Sequence, residues 1–126
     1  MMGRNIIFHL YGEWYDGIEA GWKPEEYRKI TAYWCKRVFG KTYPFDWDEM
    51  FDPDRSRYSL NDIILIVAKQ LAIDPPDIDT ITFVRGYTKK KMVFENAGIS
   101  VGLGNPEWGA ELGVNYFKFK LGRRLS

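Results

Sequence analysis

The C-terminal half of the chain limits the fold most. Between residues 80 and 122 lie four segments rich in β-branched and aromatic residues: TITFVRG (80–86), KKMVFE (90–95), GISVGLG (98–104) and NYFKFKLG (115–122). Gly, Asn and Pro separate them, as they separate strands. The last segment alternates cleanly, with Phe117, Phe119 and Leu121 against Tyr116, Lys118 and Lys120. Strands this short and numerous predict a curled sheet or a small barrel.

The N-terminal half is mixed. RNIIFHLY (4–11) sets Ile6, Phe8 and Leu10 against Ile7, His9 and Tyr11, as in a strand with both faces at least partly covered. EWYDGIEAG pairs Trp14 with Ile18 one turn apart and ends in Gly21, a helix stop. Pro24 keeps that helix from running through Lys23. EEYRKI reads as a short strand. TAYWCKRVF reads as a helix capped by Thr31 and ended by Gly40. The order β-α-β-α, then strands, predicts an α+β fold.

Two stretches fit this plan less directly. KTYPFDWDEMFDPDRSR (41–57) reads as a long loop, a length usually tied to function or mobility. In SLNDIILIVAKQLAI, Leu60, Ile63, Ile64, Val67, Ala68 and Leu71 form a helical stripe, and Ser59 with Asp62 resembles a capping box. DIILIVA alone also fits a buried strand; length favours the helix. DPPD (74–77) ends it, and NPEWGAELG (105–113) reads as a helical turn or loop.

The 126 residues fit one domain, 1–126, with an insertion-like loop at about 41–58. Formal net charge is +1, from 18 basic and 17 acidic residues, which excludes a grossly basic tail but not a local patch. The one cysteine, Cys35, can form neither an intrachain disulfide nor a CxxC metal site, and points to a reducing cytosol. No apolar run is long enough for a secretory leader or a membrane span. A soluble cytoplasmic protein without membrane, metal or cofactor is expected.

Common catalytic signatures are absent. The single His9 lies in an apolar strand and reads as a structural histidine. Cys35, on a helix, reads as a small packed residue. GISVGLGN lacks GxGxxG spacing, and there is no P-loop. AGWKPEEYRK (20–29) differs from its surroundings. In an extended segment Glu26 and Arg28 point together, and Glu25, Tyr27 and Lys29 point oppositely. Which side is inward stays open: Tyr27 argues for one, Ile30 for the other. Lys23, in the preceding turn, leans over Glu26. Such a cluster can bind an anion, polarise a carbonyl, or hold a ribose or base edge. The competing reading is an exposed ion pair worth under about 1 kcal/mol.

Gly21, Lys23, Glu26 and Arg28 reproduce a GxKxxExR pattern that resembles the signature of ASCH domains, relatives of the PUA-like RNA-binding barrels. EWYDGIEAG resembles the helix before that motif. YWCKRVF resembles the helix after it, with Trp34 and Arg37 at the family's W..R positions. FVRGYTKKK resembles its strand-turn ending in a Gly-aromatic pair, and GNPEWG with YFKFKLG its closing turn and strand. The resemblance spans nearly the whole chain; loop 41–58 and segment 60–73 depart from it. It implies a small PUA-like β-barrel with flanking short helices and a cleft lined by Lys23, Glu26 and Arg28. It also implies binding of RNA or a modified nucleoside. Some small bacterial members resemble amidohydrolases acting on acylated cytidine. They pair the motif lysine with a threonine, where this chain has Glu26, and with a separate glutamate, for which Glu95 is the candidate.

Three functions follow as expectations. The first is an RNA- or nucleotide-binding module. Lys23, Glu26, Arg28, Trp34, Arg37, Arg85 and Tyr87 would contact the ligand. Lys89, Lys90, Lys91, Lys118 and Lys120, with Arg123 and Arg124, would form a basic rim. The lysines also suit a solvated hairpin tip and an edge strand protected from aggregation. The second is a hydrolase acting on a modified nucleoside or RNA, with Lys23 as charge stabiliser or base, Glu26 as general acid/base and Arg28 as clamp. The third is a protein-interaction domain in which the aromatic loop 41–58 docks a partner or closes over the cleft as a lid.

Overall fold

A computed structural model of the chain describes residues 3–40 and 44–126. The fold is α+β. Five strands form one curled, mixed half-barrel sheet: β1 (Arg4–Leu10), β2 (Glu25–Lys29), β3 (Ile78–Arg85), β4 (Lys91–Leu103) and β5 (Asn115–Arg124). Their order across the sheet is β1-β3-β4-β5-β2. β1 and β3 are parallel; the other neighbours are antiparallel. β1 and β2 are therefore the two edges, and the curl brings them together. Phe8 of β1 lies 4.9 Å from Phe119 of β5 and 5.2 Å from Trp34, ring centre to ring centre.

The inner face is the core. Ile6, Phe8, Leu10, Ile81, Phe83, Met92, Phe94, Phe117 and Phe119 are buried there. On β1 the outer face is not covered as the alternation implied: Ile7, His9 and Tyr11 are exposed. Only the inner face of β1 packs on the core, and the apolar residues of its outer face stay in water.

Four helices flank the sheet: α1 (Gly12–Ala20), α2 (Ala32–Phe39), α3 (Trp47–Phe51) and α4 (Leu60–Ile73). α1 ends at Gly21, whose left-handed backbone (φ 89°) lets its N–H reach Gly17 O and Ile18 O. A side chain there would be strained. α2 is capped by Thr31, whose hydroxyl accepts from Trp34 N. α4 carries the full capping box between Ser59 and Asp62, so the apolar segment 60–73 is a helix.

Two sequence readings are corrected. Segments 90–95 and 98–104 are a single strand, β4, which pairs first with β3 and then with β5. ENAG between them is a bulge, not a turn. Asn96 donates to Ile78 O (2.8 Å), its side-chain oxygen accepts from Gly98 N (3.0 Å), and Gly98 sits at φ 140°. The stretch read as a loop over 41–57 contains α3, capped by Asp46; residues 41–43 lie outside the described residues. Of the described aromatics offered for docking or for a lid, Phe45 and Phe51 are half-buried and Trp47 is turned inward. Trp47 is fully buried against Phe39 (5.3 Å) and Phe45 (5.4 Å), and Met50 is buried beside it. Among the described residues no helix is long and apolar enough to cross a membrane.

Candidate functional site

Where the sheet's two edges meet, a cleft of about 210 Å³ opens. β1 supplies His9 and Leu10, followed by Tyr11; α1 supplies Trp14; the turn after α1 supplies Lys23. β2 supplies Glu26, Tyr27 and Arg28, and β5 supplies Tyr116. A 3-10 turn over Pro106–Trp108, started by Asn105, closes the cleft with Trp108 and Gly109.

Cross-strand pairing decides which way β2 faces. Glu26 lies opposite Phe119 and Arg28 opposite Phe117, so both carry their side chains to the core side of the sheet. Tyr27 lies opposite Lys118, on the other face, where it packs with Tyr116 and Ala110. Tyr27 is nonetheless buried, because this second small cluster covers it. That explains why the sequence pulled both ways.

The exposed-ion-pair reading of 20–29 does not hold for Lys23 and Glu26, which are only 2 % and 5 % exposed. Lys23 Nζ donates to Glu26 Oε1 (3.1 Å) and Glu25 O (2.7 Å). The same Oε1 accepts from Tyr27 N (2.8 Å), and Oε2 accepts from Arg28 (3.3 Å). One carboxylate thus sits between two cations. Arg28's guanidinium rests against Phe8 (4.7 Å) and Trp34 (5.0 Å), and its buried Nε has no partner in the described structure. Arg28 donates one side-chain hydrogen bond among the described residues, and its side chain, 23 % exposed, lines the cleft.

Burial lowers the pKa of Lys23 below the ordinary lysine value, and the Glu26 carboxylate partly counters this. The sign for stability follows. At pH values between the lowered pKa of the native state and 10.5, the unfolded chain binds more protons at this residue. Stability gained through Lys23 therefore rises with pH across that window. Denaturant titrations of Lys23→Met are expected to lack this alkaline component. An unchanged pH profile would reject the assignment.

The aromatic wall is held by its hydroxyls. Tyr27 Oη donates to Glu25 Oε2 (2.8 Å) and accepts from Asn105 N (3.1 Å), tying β2 to the closing turn. Burial, foremost, pushes its pKa up to about 12. Tyr116 Oη accepts from Glu111 N (2.9 Å). No Ser, Thr or Cys lines the cleft among the described residues.

The other predicted site residues scatter. Trp34 supports Arg28 from behind. Arg37 reaches Tyr33 Oη (2.8 Å) and Ile7 O (3.4 Å), away from the cleft lining. Arg85 pairs with Asp16 (3.3 Å), and Tyr87 is fully exposed at the β3–β4 hairpin, beside the His9 ring (6.4 Å). In the rim, Lys90 and Arg124 pair with Glu19, and Arg123 pairs with Glu95. Glu95 is thereby engaged outside the cleft lining and is not placed as the second carboxylate. Lys89, Lys91, Lys118 and Lys120 have no ion-pair partner among the described residues. Cys35 is fully buried, and burial pushes its thiol up to about 12, as suits an inert packed residue.

Sequence reasoning missed His9, Tyr11, Trp14, Trp108 and Tyr116. His9 is exposed, not packed; its Nδ1 lies 3.1 Å from Gly86 O, which can only accept, so Nδ1 carries the proton. The exposed parity of the β1 edge was the available signal. Trp108 follows Asn105 and Pro106, a turn-forming pair that sets the backbone of the 3-10 turn. Among the described residues no group of His, Cys, Asp and Glu is arranged to hold a metal ion. Comparison with protein-family models, with curated proteins and with solved structures gives no match.

Proposed function

We propose that the chain is an RNA- or nucleotide-binding module, ASCH-like within the PUA-like group, whose cleft is built on the GxKxxExR residues. One observation carries this reading: Lys23, Glu26 and Arg28 converge in a concave site walled by Tyr11, Trp14, Trp108 and Tyr116. Aromatic faces suit an unstacked base, and the spare donors of Arg28 suit a phosphate or a base carbonyl. The cleft is smaller than the roughly 300–1,000 Å³ of pockets for drug-sized ligands. It therefore suits one ring, such as a single splayed-out base, with the flanking strand running outside. The unpaired Lys89 and Lys91, on the hairpin that carries Tyr87, and Lys118 and Lys120, on β5, are available to phosphates.

Fluorescence polarisation with a short single-stranded RNA tests this. Affinity is expected to fall steeply with salt. Arg28→Lys, which keeps the charge but loses the planar fork, is expected to weaken binding about tenfold. Absence of RNA affinity at low salt would overturn the reading.

One observation favours a second reading, a small hydrolase. The lowered pKa of Lys23 suits a proton acceptor, and Glu26 would orient it. With no Ser, Thr or Cys on the cleft wall, the attacking group would be water. Product formation from acylated nucleosides, abolished in Lys23→Ala, separates this from binding alone.

A further inference from the structure

Helix α4 is apolar almost all round. Its only polar residues are Asn61, Asp62, Lys69 and Gln70. Ile63, Val67 and Leu71 face the core. On the opposite side Leu65 is 68 % and Ile73 is 74 % exposed, and Ile66, half-buried and packed in part against the core, borders that face. Asp62, Leu65, Ile66, Lys69 and Ile73 follow the i, i+3, i+4, i+7 spacing of one helical face. A helix with apolar residues on both faces is normally covered on both.

The sequence of this face is self-complementary. Consider a two-fold axis through the point between Leu65 and Ile66, with two α4 helices antiparallel across it. Residues equidistant from that point then meet. Leu65 meets Ile66, and Asp62 meets Lys69. Asn61 meets Gln70. Arg57, Tyr58, Asp62, Leu65, Ile66 and Lys69 line one shallow groove in the single chain. Arg57, Asp62, Lys69 and Asp74 have no ion-pair partner within the chain among the described residues. Opposite charges, Asp62 and Lys69, thus fall opposite each other on both sides of an aliphatic centre, the pattern of an isologous contact.

We infer that the outer face of α4 pairs with the same face of a second copy, antiparallel and centred between Leu65 and Ile66. No residue of α4 lines the cleft, so pairing leaves the cleft open on each copy.

Sedimentation equilibrium on the full chain tests this, with circular dichroism to confirm that each variant folds. A concentration-dependent dimer is expected. Lys69→Glu replaces two symmetry-related attractions by two repulsions and is expected to weaken the dimer about tenfold. Adding Asp62→Lys to Lys69→Glu restores opposite charges across the axis and is expected to recover most of the loss. Leu65→Cys is expected to form an intermolecular disulfide on oxidation, which buried Cys35 cannot mimic. A chain that stays monomeric would overturn the pairing. So would a monomer whose α4 face instead binds a foreign apolar peptide, and so would a dimer that none of these changes affects.

Discussion

Glu26→Ala is expected to destabilise the protein by about 3–5 kcal/mol, read as a shift of the denaturant midpoint at neutral pH. The magnitude follows from what is left behind. Among the described residues Glu26 Oε1 is the only side-chain acceptor of the buried Lys23 amine, and it also satisfies Tyr27 N. Removing it strands a cation that is 2 % exposed and leaves a buried N–H unpaired. Lys23→Met should cost less, because Glu26 then keeps Tyr27 N and Arg28. The double variant should cost less than the sum of the two. A Glu26→Ala cost below about 1 kcal/mol, the size of a surface pair, would overturn this account.

That pair also bears on function. A buried, nearly satisfied carboxylate between two cations is a rigid floor, not a flexible charge. Its job in the proposed cleft is to fix Lys23 and Arg28 at set positions, so that binding does not have to order them. The cations then present their remaining donors together. Preorganisation of this kind lowers the entropy lost on binding.

What the sequence made legible was local. Ser59 with Asp62 announced α4, Thr31 announced α2, and Gly21 with Pro24 announced the turn that places Lys23. The period of two put Glu26 and Arg28 on one face, as β2 shows. What it hid depended on distant partners. ENAG has the composition of a turn, yet Asn96 is held by the carbonyl of Ile78, far off in the chain, and the strand runs on. His9 has apolar neighbours in sequence, but it lies on the outer face of β1, which nothing covers among the described residues. The cleft's walls come from β1, α1, β2, the 3-10 turn and β5, so no window of sequence contains them together.

Trp47→Ala is expected to cost about 3–5 kcal/mol in the same measurement, while leaving affinity for the cleft ligand within about twofold. The stretch around Trp47 has the look of an exposed aromatic loop: prolines and acidic residues interleaved with rings. A lid or docking loop built this way would show the reverse result, with stability retained and binding changed. The packing argues against that. Trp47 is fully buried, stacked on Phe39, which in turn meets the core residue Phe117 at 6.2 Å. The acidic residues face water, where Asp46 caps α3 and Asp48 holds Lys36 of α2 at 3.0 Å. One short helix therefore serves as a peg: Asp48 fixes it to α2, and its tryptophan fills the space beside the sheet. Removing the ring leaves a cavity too apolar to hold water well, and the neighbouring rings are too large to collapse into it. A loss of binding without a loss of stability would show that the segment belongs to the cleft after all.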